Sequence, residues 1–250
     1  MSKQKGFHFP PTPEKEGRVK KADLALLNPP PVYFACWLPE ILCIFSKTMM
    51  DMQPSFSSPS TVPTFLLAEE VNGIPFYYRG YQKVLSGEAT LEEIMGSSVL
   101  QFLILQHIFR ALALKDPEEE RYLIGNNEAG LHMGPNSNVG NDLAIYRIGQ
   151  LGPENMIGKY SNIPPEVVVE VDIQVENSQM GVMDGVYLKT QKMLDFGVQQ
   201  VIWFFTQSQK VLLADSSGPW QTLNWDREVQ IIDGLMVNVA AYLRKKGALS

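Results

Sequence analysis

The sequence predicts a mixed α/β fold in which helices flank a central sheet, and three patterns support this prediction. Four of the five residues in Val167–Val171 are apolar and β-branched, as in strands that are buried on both faces. Apolar residues recur at helical spacing between Leu100 and Leu112. Another helical segment, Asp184–Phe196, lies between strand-like segments, where a crossover helix would join two strands of one sheet.

The helices that precede the buried strand have recognisable ends. Thr90 and Glu93 are spaced as in a capping box, which predicts the start of a short helix. Ser97 or Ser98 is a suitable cap for the longer helix that follows. That helix is expected to end at Asp116, because a proline comes next.

Strands are expected on both sides of the crossover helix, in runs of β-branched and aromatic residues bounded by turn residues. The crossover helix should end at Gly197, which is a natural residue for the position after a helix. A last amphipathic helix is expected at about 235–245. The expected strands are Ile74–Tyr81 with its turn, Tyr122–Asn126, Asp142–Arg147, Glu166–Ile173, Val201–Phe205, Lys210–Ala214 and Trp220–Leu223.

The composition of residues 1–64 predicts an irregular, largely disordered extension. The regular pattern of residues 65–250 predicts the folded domain. Proline clusters and a Ser/Pro-rich stretch interrupt any periodicity in the extension. Its longest apolar run, Val32–Phe45, is broken by Pro39 and Glu40 and is too short to span a bilayer. Met49 and two further methionines fall just before the regular pattern of the domain begins, and we hypothesise that translation starts at one of them. A native peptide from upstream of Met49 would contradict that hypothesis.

Composition and charge narrow the class of protein. Cys36 and Cys43 have no Cys or His cluster around them, so neither a disulfide framework nor a zinc site is expected, and the cytoplasm is the expected location. The net charge is -6, which argues against a protein that coats nucleic acid. Residues 65–250 carry 14 basic and 22 acidic side chains, so this part lacks the basic footprint that is usual in DNA-binding domains.

The acidic residues of two neighbouring strands are the first site candidates. Glu170 interrupts the apolar strand, and a buried carboxylate is costly unless it is paired, hydrogen-bonded or bound to a metal. Asp142 opens another apolar run, although acids at strand starts also cap turns. Asp172 is expected on the same strand face as Glu170, as a further ligand or as the solvated strand end.

A lysine on the crossover helix completes a possible phosphodiesterase site. Mg²⁺ prefers one or two carboxylates together with waters and substrate oxygens. Asp142, Glu170 and the Val171 carbonyl would supply protein oxygens, and Lys189 would assist the attacking water. Lys192 lies three residues further along the helix, and on pattern alone both lysines are equally compatible with a solvated helix face.

The other motifs carry less information about a functional site. Glu128 follows an expected strand and either points toward the same site or sits in a turn. The three histidines form no metal-binding motif, and the sequence holds neither a phosphate-binding glycine loop nor a nucleophile-elbow serine.

Several segments resemble the Uma-two family of proposed restriction endonucleases, within the PD-(D/E)XK nuclease-like superfamily. The resemblance covers about residues 69–235. It is carried by the order and spacing of motifs that are weak singly: Phe76–Tyr81, Glu93–Ser98, Asn127–His132, Asn141–Tyr146, Val167–Asp172, Lys189 and Leu194–Trp203.

This resemblance implies a restriction-endonuclease-like fold and Mg²⁺- or Mn²⁺-dependent cleavage of DNA, with a second copy of the chain as a possible partner. Asp142 would be the acid of the "PD" element and Glu170 the acid of the "(D/E)XK" element. Asp172 stands where the superfamily has its lysine, and Lys189 would replace that lysine from the following helix. Glu128 would be a secondary metal ligand.

Two alternatives stay open from the sequence. A catalytically silent member would keep the fold as a binding or assembly module, and the acidic charge favours this alternative. A metal-dependent hydrolase that acts on a smaller phosphoester is the other.

Overall fold

The computed structural model describes residues 62–249, in which two larger sheets and a small hairpin sheet are joined with helices into a mixed α/β fold. The strands are β1 Leu67–Val71, β2 Ile74–Tyr78, β3 Tyr122–Asn126, β4 Leu131–His132, β5 Asn138–Val139, β6 Leu143–Arg147, β7 Val167–Val171, β8 Val175–Glu176, β9 Gln200–Phe205, β10 Lys210–Asp215, β11 Gln221–Asn224, β12 Val229–Ile232 and β13 Leu235–Val237. The helices are α1 Tyr81–Leu85, α2 Leu91–Met95, α3 Val99–Lys115, α4 Val182–Phe196 and α5 Val239–Lys245.

The central sheet has six strands in the order β11-β10-β9-β7-β6-β3. Strands β7 and β9 are parallel, and the other pairs are antiparallel. Parallel neighbours need a crossover connection, which α4 provides. A second sheet has the order β4-β5-β1-β2-β8, and β12 pairs with β13 separately.

Strand β7 lies inside the core, and its alternating side chains reach two separate hydrophobic clusters. Val167, Val169 and Val171 pack with residues of α3 and α5. Val168 packs on the opposite face, with residues of α4 and of the five-stranded sheet. Because side chains alternate along a strand, Glu170 shares the face of Val168 and points toward α4.

Most predicted elements are confirmed, with ends shifted by one or two residues. The capping box of Thr90 is present, and Ser98 caps α3 through the backbone N–H of Gln101. The predicted helix at about 235–245 is wrong in its first part, because Leu235–Val237 pairs as a strand. The Asn238 side chain accepts from the backbone N–H of Ala241, so the helix begins only after it.

The expectation that Asp172 continues the strand face of Glu170 is also wrong. Strand β7 ends at Val171, and Asp172 has a φ of 63°, in the left-handed region. A residue in that conformation breaks the alternation of an extended strand, so Asp172 is not part of the strand face that carries Glu170.

The predictions for the extension lie almost wholly outside the described residues. These are its irregular structure up to residue 61, the state of its two cysteines and the hypothesis of a start at Met49. The boundary at residue 65 stays a prediction. Within residues 62–249, none of the helices has the length and apolar character needed to cross a membrane.

Gly197→Ala is expected to destabilise the domain by about 1–2 kcal/mol. Gly197 ends α4 with a φ of 117°, and the backbone N–H of Val198 bonds back to the Met193 carbonyl. An added Cβ would be strained there and would lie 3.0 Å from Pro164 Cγ. Urea unfolding measures the change. Gly96→Ala is the control, since Gly96 has open space around it, and an equal effect in both variants would contradict the argument.

Candidate active site

A cavity of about 130 Å³ lies where β6 begins and β7 ends, beside β1 and α4. The pairing of Leu143 with Val169 in antiparallel β6 and β7 places Asp142 beside Glu170, one residue further along. The polar side chains that line the cavity include Glu69, Glu128, Asn141, Asp142, Glu170, Asp172 and Lys189.

Lys189 is the buried cation at the centre of this cluster, with 6% of its surface exposed. Its Nζ donates to Glu69 Oε1 at 2.7 Å and to the Gly140 carbonyl at 2.9 Å. Glu170 Oε1 lies 3.0 Å from the same Nζ, but as a charge contact and not as an aligned hydrogen bond. Burial opposes the charge on Lys189, but Glu170 and Glu69 outweigh burial and hold its pKa above the usual value.

Glu69 reaches the cluster from β1 of the five-stranded sheet. The pairing of β1 with β2 is irregular between Leu67 and Glu69, and such bulges re-aim side chains. Glu69 Oε1 accepts from Lys189 and, at 3.1 Å, from the backbone N–H of Gly140. Its other oxygen, Oε2, is buried and has no hydrogen-bond partner. The carboxylate therefore holds the lysine with one oxygen and leaves the other available.

Glu170 is buried on β7 and is the most perturbed acid of the site. Burial raises the pKa of Glu170 to about 8; the Lys189 charge opposes this shift, whereas Asp142 and Glu69 add to it. One ammonium cannot compensate three nearby carboxylates. The cluster therefore keeps Lys189 charged and leaves Glu170 as the acid that takes a proton near neutral pH.

Asp142 is fixed to the end of β7 by its side chain. Its Oδ2 accepts from the backbone N–H of Val171 at 2.7 Å. Burial raises the pKa of Asp142, although the Val171 amide, Lys189 and Gln101 each lower it in part. Because the N–H and C=O of one strand residue point to the same side, the Val171 carbonyl faces the same edge as Asp142.

Asp172 lines the cavity, but its carboxylate is occupied by the protein. Its Oδ1 accepts from the Thr206 backbone N–H and its Oδ2 from the Thr206 hydroxyl, each at 2.6 Å. These bonds fasten the end of β7 to the end of β9. The geometry gives Asp172 a positioning role, and a direct catalytic role stays a prediction.

The two remaining predicted residues, Glu128 and Lys192, are more exposed than the buried cluster. Glu128 is an exposed residue on the cavity lining, just after β3, with a φ of 59°. Lys192 is half-buried on α4 and does not line the cavity. The structure therefore separates the two lysines, which the sequence pattern left equivalent.

The oxygen atoms of the cavity fit a hard divalent cation held by few protein ligands. Glu69 Oε2 and Asn141 Oδ1 are buried without a hydrogen-bond partner, and Glu170 Oε1 has only its charge contact with Lys189. Within the part of the chain that the structure describes, no three acidic, His or Cys side chains form a ready-made metal cage. Mg²⁺ is commonly held by one or two carboxylates plus waters, so the number of carboxylates that Asp142 and Glu170 provide is compatible with this ion.

Two residues of the site were missed in the sequence. Glu69 is one of two consecutive acids in Leu67–Val71, and an acidic pair between apolar residues is the sequence signal that indicates it. Gln101 is buried on α3, accepts from Gln174 at 2.7 Å and contributes to the environment of Asp142. It had no sequence signal, because glutamine is an ordinary helix residue.

In the absence of metal, the free energy of unfolding is expected to fall as the pH rises from about 5 to about 8. Glu170 binds its proton up to about pH 8 in the folded state and only to about its ordinary value of 4.5 when unfolded. Between these values the unfolded state loses the proton first, which favours unfolding. Glu170→Gln should flatten this dependence in urea unfolding with EDTA. Equal slopes for both proteins would contradict the assignment.

Comparisons with known proteins support the fold. No family model and no curated protein matches the chain. The structure is similar to the crystal structure of a proposed nuclease of DUF820 from Anabaena variabilis, with a TM-score of 0.54 and 11% sequence identity. The match covers 72% of this chain and 92% of that chain. At this identity the similarity concerns the fold alone. The chain therefore has the predicted mixed α/β fold with flanking helices, and shares it with a nuclease-like protein.

Proposed function

We propose that this chain is a Mg²⁺- or Mn²⁺-dependent endonuclease of the Uma-two family that hydrolyses phosphodiester bonds of DNA. The single observation that supports this most is the burial of Glu170 beside Asp142, Lys189 and Glu69 on one cavity. A protein that only needed stability would gain little from such a cluster, because buried charges cost desolvation energy. The similar fold of the proposed nuclease from Anabaena variabilis agrees with this function.

Asp142, Glu170 and the Val171 carbonyl would hold the cation, and Glu128 would add an outer ligand through water. A bound cation supplies polarisation of the phosphoryl oxygen and a more acidic water. Lys189 is held by Glu69 and Gly140, and its Nζ also lies 3.0 Å from Glu170 Oε1. Its third N–H would orient the attacking water or stabilise charge on the phosphate once Glu170 binds the cation. The proposed partners are DNA and a second copy of this chain.

Incubation of supercoiled and linear DNA with the purified protein tests the function. We expect nicking or cleavage with Mg²⁺ or Mn²⁺, none with EDTA, and none for Asp142→Asn. Cleavage of circular DNA would establish endonuclease activity. If wild type and Asp142→Asn leave both DNAs equally intact with either metal, the nuclease proposal is wrong.

The second candidate is a catalytically silent binding module with the same fold. The specific observation in its favour is that Lys189 already pairs with two buried carboxylates, so the cluster is satisfied in large part without a cation. Metal binding separates the two candidates. A silent module should show no saturable stabilisation by Mn²⁺, whereas the nuclease should be stabilised through Glu170.

A further inference from the structure

A groove of about 610 Å³ adjoins the candidate active site and has no part in the hydrolysis proposed above. Asp172 and Ile173 line both the groove and the active-site cavity, so the two are direct neighbours. The volume lies within the ~300–1,000 Å³ that is usual for pockets that hold small molecules. A substrate bound at Asp142 and Glu170 would therefore extend into the groove.

One wall of the groove is the first half of α4, which exposes apolar and aromatic surface. Val182, Met183 and Tyr187 are exposed by 49%, 39% and 47%. The Tyr187 ring lies 6.0 Å from the Trp220 ring, centroid to centroid, so a neighbouring side chain limits its movement. A partly exposed aromatic ring on a groove is a surface on which a flat ligand stacks.

The rim of the groove is basic, although the chain as a whole has a net charge of -6. Arg79 and Lys210 are both exposed on its lining. The Arg79 guanidinium donates to the Ile173 carbonyl at 3.5 Å, and Lys210 Nζ donates to Asn224. Asp172 is the single acid among the described residues that line the groove, and Thr206 occupies both of its carboxylate oxygens.

We propose that this groove binds one unpaired nucleotide of the DNA strand that continues from the phosphodiester bond at Asp142 and Glu170. The base stacks on Tyr187, and Arg79 and Lys210 contact the adjoining phosphates. The inference rests on the proposed function for the identity of the ligand. Stacking needs an exposed base face, so the groove selects single-stranded or locally opened DNA, with little preference among bases.

Binding of a fluorescein-labelled oligothymidylate to the full chain, measured by anisotropy in EDTA, tests the proposal without catalysis. Tyr187→Ala is expected to weaken binding about tenfold, since stacking on an aromatic side chain is a main source of affinity for single strands. Tyr187→Phe should bind as the wild type does. Lys210→Gln should weaken binding and reduce its dependence on salt. Lys245→Gln, an exposed lysine on α5 across the central sheet, is the control and should have no effect.

The proposal is overturned if the wild type does not bind the oligonucleotide. It is also overturned if either Tyr187→Ala or Lys210→Gln binds as the wild type does, or if Tyr187→Ala weakens binding to a blunt duplex as much as binding to the single strand. The result is distinguishable from failure of the nuclease proposal. Cleavage with unchanged binding by Tyr187→Ala rejects only the groove, whereas binding through Tyr187 without any cleavage rejects only the nuclease.

Discussion

Glu170→Gln is expected to lower the rate of metal-dependent DNA cleavage at least about 100-fold. The substitution keeps the shape of the side chain but removes the negative charge that would hold the cation. Stabilisation by a metal ion contributes several kcal/mol to the transition state, and each 1.36 kcal/mol corresponds to a factor of ten in rate. Single-turnover cleavage of supercoiled DNA at saturating Mn²⁺ measures the loss.

The structure predicts that this loss does not come from unfolding. The pKa of Glu170 is raised to about 8 by burial, so a neutral glutamine is tolerated at this position and should stabilise the metal-free protein above neutral pH. Glu228→Gln is the matched control, because Glu228 is exposed and does not line the cavity. Cleavage by Glu170→Gln at the wild-type rate would contradict the assignment of Glu170 as a metal ligand.

Lys189→Met is expected to destabilise the protein by about 3–5 kcal/mol at pH 8, because removal of one partner leaves buried carboxylates uncompensated. Glu69 and Glu170 lie 2.7 Å and 3.0 Å from the ammonium, and all three side chains are buried. The loss should be smaller at pH 5, where Glu170 takes a proton in place of the missing ammonium. Chemical unfolding at both pH values measures the difference.

Lys192→Met is the control for this prediction, since Lys192 lies one turn away on α4 but only half-buried and outside the cavity. It should change the free energy of unfolding by less than about 0.5 kcal/mol. The double variant Lys189→Met, Glu170→Gln should recover part of the loss, because one of the two stranded charges is gone. Equal effects of Lys189→Met and Lys192→Met would contradict the buried ion cluster.

Strand β7 shows why much of the fold was predictable from the sequence. Its β-branched residues favour a strand, and burial on both faces requires covering layers, which α4 and α3 provide. Strands of two or three residues, such as β4, β5 and β8, have no periodicity to detect. Leu235–Val237 is predicted as the start of a helix, because a three-residue strand and the first turn of an amphipathic helix can have the same apolar spacing.

The proximity of two site residues was predictable only where they lie on strands that the sequence pattern places next to each other. Asp142 and Glu170 belong to strands that pair, so their proximity follows from the sheet. Glu69 comes from another sheet, 120 residues away from Lys189 in the sequence, and its contact depends on tertiary packing. Strand alternation predicts that Asp172 shares the face of Glu170. The turn after β7 instead determines its left-handed conformation and its hydrogen bonds to Thr206.

Calorimetric titration of the metal-free protein with Mn²⁺ tests the central claim, that Asp142 and Glu170 hold a divalent cation beside Lys189, most directly. The account predicts saturable binding to the wild type at pH 8, weaker binding at pH 6 because Glu170 must release its proton, and loss of that binding in Glu170→Gln and Asp142→Asn. Binding of equal affinity by the wild type and both variants, or its absence from the wild type at millimolar Mn²⁺, would contradict it.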